Sequence, residues 1–255
     1  MTGKTLFISK RKISFSGTGF MVEGLLVTNY HVAYSPPHDS VVVIRTINNS
    51  PEVELFKEGF SITNHDFLKR TKTASDERAY DFIVLDIPEL SEQKLYNFQL
   101  SEYSDLEKRI GDDIFFLGYP FEHLNLVCHS GIISSFYRSK NIDVIQVDAS
   151  VNSSNSGSPL IDPKTGKVIG IITRKATGLT QGFEKLRYIL KQNIEILFKS
   201  QGGIFIQNID PTEAFIENQR QMLGMTYELE RSANVGIGYA FSVKELINDC
   251  FFDKF

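Results

Sequence analysis

The 255-residue sequence predicts an all-β fold with an added helical region, and three observations support this class. Short apolar runs alternate with polar or turn residues up to about residue 100, and a second series of runs follows. Regular short strands separated by turns are typical of β-barrels. At about residues 179–232, by contrast, apolar residues recur at helical spacing. The runs are Phe20–Val22, Leu25–Thr28, Val41–Ile44, Val53–Phe56 and Phe82–Ile87 in the first series, and Asp113–Gly118, Leu124–Ser134, Val144–Val147, Val168–Thr173 and Val235–Phe241 in the second.

The segment at about 179–232 is predicted to form two helices ahead of the last strand. Asp210 and Pro211 suit the N-cap and the first residue of the second helix. We expect this helical insertion to pack on the barrel and add core; the alternative is a lid or a docking surface for a regulatory protein. A short helix is expected within Val243–Phe255. The apolar residues at helical spacing are Phe183, Leu186, Leu190, Ile194 and Leu197, which share one face of the first helix, and Phe215, Met222 and Leu229, which lie seven apart in the second.

The composition is that of an ordinary globular protein, with 42% apolar and 23% charged residues. A net charge of −4 gives no indication of nucleic-acid binding. No apolar run has the length of a signal peptide core or a membrane span. The only two cysteines, Cys128 and Cys250, fit a reducing compartment as free thiols, with a disulfide between them as the alternative. The sequence therefore predicts a cytoplasmic protein with neither a nucleic-acid nor a membrane partner.

Chemistry is first indicated by the segment Asn152–Leu160, which reads Asn-Ser-Ser-Asn-Ser-Gly-Ser-Pro-Leu between two predicted strands. Small polar residues around one glycine predict a tight loop that presents a single hydroxyl, that of Ser156. Such a loop can direct backbone N–H groups at a developing oxyanion, as acyl transfer requires. Serine is a weak nucleophile at neutral pH, so it needs a base and a group that orients the base.

Two other segments supply those groups. His31 ends a predicted strand in the run Thr-Asn-Tyr-His-Val, and Asp81 directly precedes the apolar run that begins at Phe82. The nearby Asp86 lies inside that run and is a weaker candidate. The remaining histidines lack a comparable context; they are His38, His65, His123 and His129.

These segments, together with Ser16-Gly17-Thr18-Gly19-Phe20 and Gly236–Phe241, resemble in order the motifs of trypsin-like (chymotrypsin-fold) serine proteases. The chain is most similar to the bacterial HtrA/Deg protease domain, and no PDZ domain is expected after it. The resemblance implies one protease domain over 1–255, built of two six-stranded antiparallel β-barrels at about 1–105 and 106–255. It also implies a triad of His31, Asp81 and Ser156 in the cleft between the barrels, with no metal or organic cofactor.

The resemblance extends to the residues around the nucleophile. It places the oxyanion donors at the backbone N–H groups of Ser154 and Ser156. Ser154 departs from the family, which has glycine there, and Ser158 replaces a second glycine. By register, Ser150 lies at the base of the S1 pocket and Ile237 narrows it, which favours a small or medium aliphatic side chain. The strand edge expected to pair with the substrate backbone is Thr173, Arg174 and Lys175.

Three interpretations remain open from the sequence. The first is an endopeptidase that cleaves protein substrates through an acyl-enzyme. The second is a non-catalytic module that binds a peptide or partner on a protease fold, because Ser154 and Ser158 depart from the family. The third is a latent protease, activated when a partner reorders the helical insertion.

Overall fold

The computed structural model describes residues 6–10, 16–34, 40–46, 59–76, 78–91, 93, 95–120, 126–139, 141–175, 180–203, 210–232 and 236–248. The predicted strand Val53–Phe56, Cys250 and the end of the predicted terminal helix lie outside these ranges. The chain forms two compact units: Met1–Ala176 with Gly236–Phe255, and the helical insertion Thr177–Val235. Among the described helices, none is both long and apolar enough to cross a bilayer.

Seven strands form an antiparallel sheet in the N-terminal half. They are β1 (Leu6–Lys10), β2 (Ser16–Val22), β3 (Leu25–Thr28), β4 (Val41–Thr46), β5 (Phe60–Thr63), β6 (Thr71–Ser75) and β7 (Phe82–Leu85), with helices α1 (Tyr30–Tyr34), α2 (Asn64–Lys69) and α3 (Pro88–Ser91). Their order in the sheet is β5-β4-β1-β2-β3-β7-β6. The sheet thus has seven strands where six were predicted, and no described pairing joins its outer strands β5 and β6.

Strand β6 lies in a polar stretch that contains none of the predicted apolar runs. Every second residue of β6 is exposed, as expected for a polar strand at a sheet edge, and the strand pairs with the wholly buried β7. The helix before it begins where the Thr63 hydroxyl accepts a hydrogen bond from the Asp66 N–H at 3.1 Å. The polar segment of β6 therefore forms a strand because its backbone pairs with the apolar β7, and the spacing of its own apolar residues does not predict this.

Six strands close into a barrel in the C-terminal half, which confirms the predicted β fold there. They are β8 (Asp113–Gly118), β9 (Val127–Ser139), β10 (Ile142–Asp148), β11 (Pro159–Ile161), β12 (Val168–Lys175) and β13 (Ile237–Ser242), in the order β10-β13-β12-β11-β8-β9. The predicted terminal helix is present as α6 (Lys244–Asn248).

Side-chain alternation along the strands builds three apolar clusters. In β2, Met21 belongs to a cluster on one face of the sheet, while Phe20 and Val22 belong to a second cluster on the other. That second cluster also contains Ile171 of β12 and Leu246 of α6, so it joins the sheet to the barrel. The third cluster fills the barrel interior. The two β-halves consequently share a core, which fixes the loops that extend from each half.

The helical insertion consists of two antiparallel helices, α4 (Thr180–Ser200) and α5 (Thr212–Ser232). Both helices were predicted, and the Asp210 carboxylate accepts a hydrogen bond from the Thr212 N–H at 2.8 Å at the start of α5. The second oxygen of this carboxylate accepts from the Gly202 N–H at 2.7 Å, just after α4 ends. One aspartate therefore ends one helix and begins the next.

The buried face of α5 is not the face that carries its apolar residues at seven-residue spacing. Phe215, Met222 and Leu229 are 56%, 43% and 53% exposed, whereas Ile216 is buried. The side of α5 that faces α4 carries polar residues: the Arg187 guanidinium of α4 donates to the Thr226 hydroxyl at 3.1 Å and forms an ion pair with Glu230. Leu186, which the spacing places on one helix face with Leu190, is 38% exposed, whereas Leu190 is buried.

Candidate active site

His31 and Asp81 lie in direct contact. The Nδ1 atom of His31 is 2.7 Å from Asp81 Oδ2, and the His31 backbone N–H donates to Oδ1 at 3.0 Å. Asp81 is fully buried, while the His31 side chain is 28% exposed. Because a carboxylate only accepts hydrogen bonds, this contact places the proton on Nδ1 and leaves Nε2 as an acceptor.

Local backbone structure holds this pair in place. Asp81 has a φ of +48° at the turn into β7, and its carbonyl accepts from the Asn29 side-chain N–H at 2.8 Å and the Tyr30 N–H at 3.2 Å. His31 follows at once, in the first turn of α1. The end of β3 and the start of β7 thus meet because the two strands pair in register.

Thr173 also contacts the His31–Asp81 pair, and this contact was not predicted from the sequence. The register between β12 and β13 shifts between Ile172 and Arg174, so Thr173 is the extra residue of a β-bulge. A bulge re-aims a side chain, and here the Thr173 hydroxyl donates to Asp81 Oδ2 at 2.5 Å. The two residues are 92 positions apart, so no local sequence signal indicates the contact.

Ser156 lies on the predicted loop between β10 and β11. Its carbonyl accepts from the Thr18 N–H at 2.8 Å, which fastens the loop to β2. Its hydroxyl donates to the Thr173 carbonyl at 3.1 Å. Between Ser156 and His31, both of which the structure describes, there is no hydrogen bond. Gly157 has a φ of +87°, and a Cβ at this position would lie 2.0 Å from the Thr18 carbonyl, so only glycine fits.

The loop amides divide into two groups. The N–H groups of Asn155, Gly157 and Ser158 donate to backbone carbonyls at 3.2, 2.8 and 3.0 Å. Those of Ser154 and Ser156 donate to no group among the described residues. Two amides two positions apart thus remain available beside the Ser156 hydroxyl, as an oxyanion hole requires.

Of the two departures from the family pattern, Ser154 makes hydrogen bonds, whereas the buried Ser158 hydroxyl has no hydrogen-bond partner among the described residues. Ser154 has a φ of +72°, which costs a non-glycine residue roughly 1–2 kcal/mol. Its hydroxyl lies 2.5 Å from that of Ser16, and its carbonyl accepts from the Thr18 hydroxyl at 3.0 Å. Ser158 is fully buried, and its hydroxyl lies where a Cβ on Gly118 would come within 2.4 Å, so Gly118 provides its space.

Asn155, the residue before the nucleophile, is fully buried and close to a histidine of the barrel. Its side-chain nitrogen is 3.5 Å from His129 Nε2, and the His129 ring stacks on Phe116 at 4.7 Å between centroids. Burial lowers the pKa of His129 below its ordinary value. The neutral imidazole can accept the Asn155 N–H, whereas the imidazolium cannot.

The predicted substrate-binding residues have varied placements. Ser150 is exposed after β10, and Ile237 is half-buried in β13 opposite Asp148. Thr173, predicted to lie on the strand edge that pairs with the substrate backbone, directs its side chain inward to Asp81. Arg174 and Lys175 pair through their backbones with β13. Among the described residues, no group of three or more metal-binding side chains is present.

A histidine bonded to a buried aspartate, and a serine whose loop reaches the threonine that also bonds this aspartate, are features of trypsin-like serine peptidases. The sequence agrees: a trypsin-like peptidase domain model matches residues 17–171. The chain therefore belongs to this family, and its relatives are of the HtrA type.

Two relatives and two solved structures illustrate the similarity. The chain is 32% identical over 213 residues to Serine protease HTRA1A of Danio rerio, covering 78% of this chain and 39% of the relative. It is 32% identical over 218 residues to a probable periplasmic DegP-like serine endoprotease of Rickettsia conorii, covering 79% and 38%. The chain thus spans about two fifths of the length of these relatives.

Among solved structures, an HtrA-type protease with a tripeptide aligns with a TM-score of 0.55 at 20% identity, over 96% of this chain and 57% of that chain. Deg5 aligns with a TM-score of 0.51 at 26% identity, over 67% of this chain and 79% of that chain. These matches confirm the chymotrypsin-like HtrA fold.

Proposed function

We propose that the protein is a serine endopeptidase that hydrolyses peptide bonds of protein substrates through His31, Asp81 and Ser156. The observation that carries the proposal is the bonded His31–Asp81 pair, which leaves Nε2 free to accept a proton. The serine protease names of the relatives support it.

The reaction begins when the Ser156 hydroxyl turns from the Thr173 carbonyl to His31 Nε2. Its oxygen attacks the substrate carbonyl carbon while Nε2 takes the proton, and Asp81 stabilises the resulting imidazolium. The carbonyl oxygen becomes an oxyanion that the Ser154 and Ser156 amides bind. Collapse breaks the peptide bond, the proton passes to the leaving amine, and water then hydrolyses the acyl-enzyme by the same steps.

Latency is part of the proposal, because the Ser156 hydroxyl is bonded to Thr173 rather than to His31. Activation then requires the Ser156 hydroxyl to leave the Thr173 carbonyl for His31 Nε2. A bound substrate or partner that favours the rotated state would then activate the enzyme.

The test is mass spectrometry of the purified protein after treatment with a fluorophosphonate, with Ser156→Ala as the control. We expect a single adduct on Ser156 and none on the variant. No adduct on folded protein would contradict a constitutively active enzyme and favour the alternative, a non-catalytic module that binds peptides or a partner. A latent enzyme would form the adduct only when its partner is added.

Substrate selection is proposed to depend on Ser150, Ile237 and the strand edge at Thr173–Lys175. On the side away from β13, the backbone hydrogen bonds of β12 to β11 and the Ser156 loop end at Ile172, so the edge beyond it can accept an extended peptide. A peptide-library cleavage profile should show small or medium aliphatic residues at P1. Preferred cleavage after Lys or Arg would contradict the assignment of Ser150.

Regulation is proposed to act through a protein with an apolar helix that docks on residues 179–232. The exposed Phe215, Met222 and Leu229 recur every seven residues along α5, which suits helix packing. If so, Ser156 labels faster in cells than after purification, and Met222→Glu with Leu229→Glu removes this difference. Glu217→Gln, an exposed change on α5, is the control. Equal labelling in cells and after purification would contradict this regulation.

A cytoplasmic location remains our proposal, supported by the presence of only two cysteines. The Rickettsia relative, by contrast, is named as periplasmic. Fractionation of cells that express the full chain, followed by fluorophosphonate labelling of each fraction, tests the location; label confined to an exported fraction would overturn it.

A further inference from the structure

The loop that carries the proposed oxyanion donors contains a strained residue that is not glycine. Ser154 adopts a φ of +72°, a conformation that glycine reaches freely and serine does not. The Ser154 backbone must keep this conformation if the Ser154 N–H is to face an oxyanion. Something outside the loop must therefore stabilise it.

Two side chains of β2 make that contact. The Ser16 hydroxyl lies 2.5 Å from the Ser154 hydroxyl, and the Thr18 hydroxyl donates to the Ser154 carbonyl at 3.0 Å. Thr18 is fully buried, and its backbone N–H also holds the Ser156 carbonyl at 2.8 Å. The carbonyls of the two residues that flank Asn155, Ser154 and Ser156, are thus both bonded to one strand of the opposite β-half.

We infer that Ser16 and Thr18 are positioning residues that hold Ser154 in its left-handed conformation and so keep the oxyanion hole formed. This rests on the proposed function of Ser154 and Ser156. The Ser16 contact uses the Ser154 side chain, which glycine lacks, so it offsets the strain that this chain incurs by having serine there. The inference makes β2, rather than the loop alone, the support for the oxyanion hole.

The decisive experiment is a double-mutant cycle between Ser16→Ala and Ser154→Gly. The readout is the rate constant for fluorophosphonate labelling of Ser156, separated into kinact and KI. Ser16→Ala alone should lower kinact about tenfold with KI unchanged, a fraction of the loss on removing an oxyanion donor. In the Ser154→Gly background, the same change should alter kinact less than about twofold, because glycine needs no support.

Conservative and remote variants control for unrelated effects. Ser16→Thr and Thr18→Ser keep their hydroxyl groups and should label at nearly the wild-type rate, whereas Thr18→Val should be slow. Ser61→Ala, an exposed serine of β5, should have no effect. Equal loss from Ser16→Ala in both backgrounds would show a merely structural role and overturn the inference. A rise in KI with constant kinact would also overturn it, because Ser16 would then contact the ligand.

A second readout separates this inference from the proposed function. If the wild-type protein takes no label, the constitutive protease is contradicted, and the urea unfolding midpoint decides the positioning role. Ser16→Ala should then lower the midpoint in the wild-type background and leave it unchanged in the Ser154→Gly background. The same midpoint shift in both backgrounds would overturn the inference without reference to activity.

Discussion

The candidate active site has a base side, His31 with Asp81, and a nucleophile side, the loop of Ser154 and Ser156, and the base side has the more complete set of hydrogen bonds. On the base side, both Asp81 carboxylate oxygens are bonded, to His31 and Thr173, and the Asp81 carbonyl is bonded as well. On the nucleophile side, the Ser156 hydroxyl is bonded away from His31, and Ser154 has a strained backbone.

The comparison shows where control of activity can act. A buried carboxylate with three hydrogen bonds cannot shift without leaving a charge unpaired, so the base side has one stable arrangement. The Ser156 hydroxyl has one hydrogen bond, to the Thr173 carbonyl, so fewer contacts oppose a change of its partner. Activation is therefore expected at the nucleophile loop.

The largest expected effect comes from removing the buried negative charge of Asp81. Asp81→Asn should lower the fluorophosphonate labelling of Ser156 about 10³–10⁴-fold, because the amide allows the wrong imidazole tautomer. Asp86→Asn is the matched control, since Asp86 pairs with Lys72 at the surface. Comparable losses from both changes, or none from either, would show that the His31–Asp81 contact does not serve catalysis.

A smaller loss is expected from Thr173→Val, which removes the third bond to Asp81. A hydrogen bond to a charged group is worth about 1.5–3 kcal/mol, so labelling should slow by roughly 10–100-fold. The Thr173 carbonyl that binds Ser156 is unaffected. Thr173→Ser keeps the hydroxyl and should retain most of the rate; if it is as slow as Thr173→Val, side-chain packing rather than the hydrogen bond is responsible.

The smallest effect concerns the nucleophile side and is a pH dependence of stability. Burial lowers the folded-state pKa of His129, so below the ordinary histidine pKa of about 6.5 the unfolded chain binds more protons. Stability should fall as pH decreases through that window, and the loss should be smaller in His129→Phe, which keeps an aromatic ring beside Phe116.

Urea unfolding at pH 7 and at pH 5 measures this loss of stability. The exposed His65→Asn should leave the wild-type loss unchanged, and an unchanged loss in His129→Phe would contradict the assignment.

Much of the fold and of the site's position could be predicted from the sequence. Apolar runs of strand length gave the barrel strands, and small polar residues around Gly157 gave the loop of Ser156. The two helices were predicted from their spacing, and the cap at Asp210 from its position before Pro211. These features depend on neighbours within a few residues, where local sequence carries the information.

Tertiary structure alone decided the rest. The face of α5 that packs on α4 carries Thr226 and Glu230, which contact Arg187, while Phe215, Met222 and Leu229 stay exposed. The bulge at Thr173 and the contacts of Ser16 and Thr18 with Ser154 join residues far apart in the chain. The sequence by itself determined which residues could perform the chemistry, whereas packing of the two β-halves decided how they are oriented, because hydrogen bonds between distant segments form only once the core is assembled.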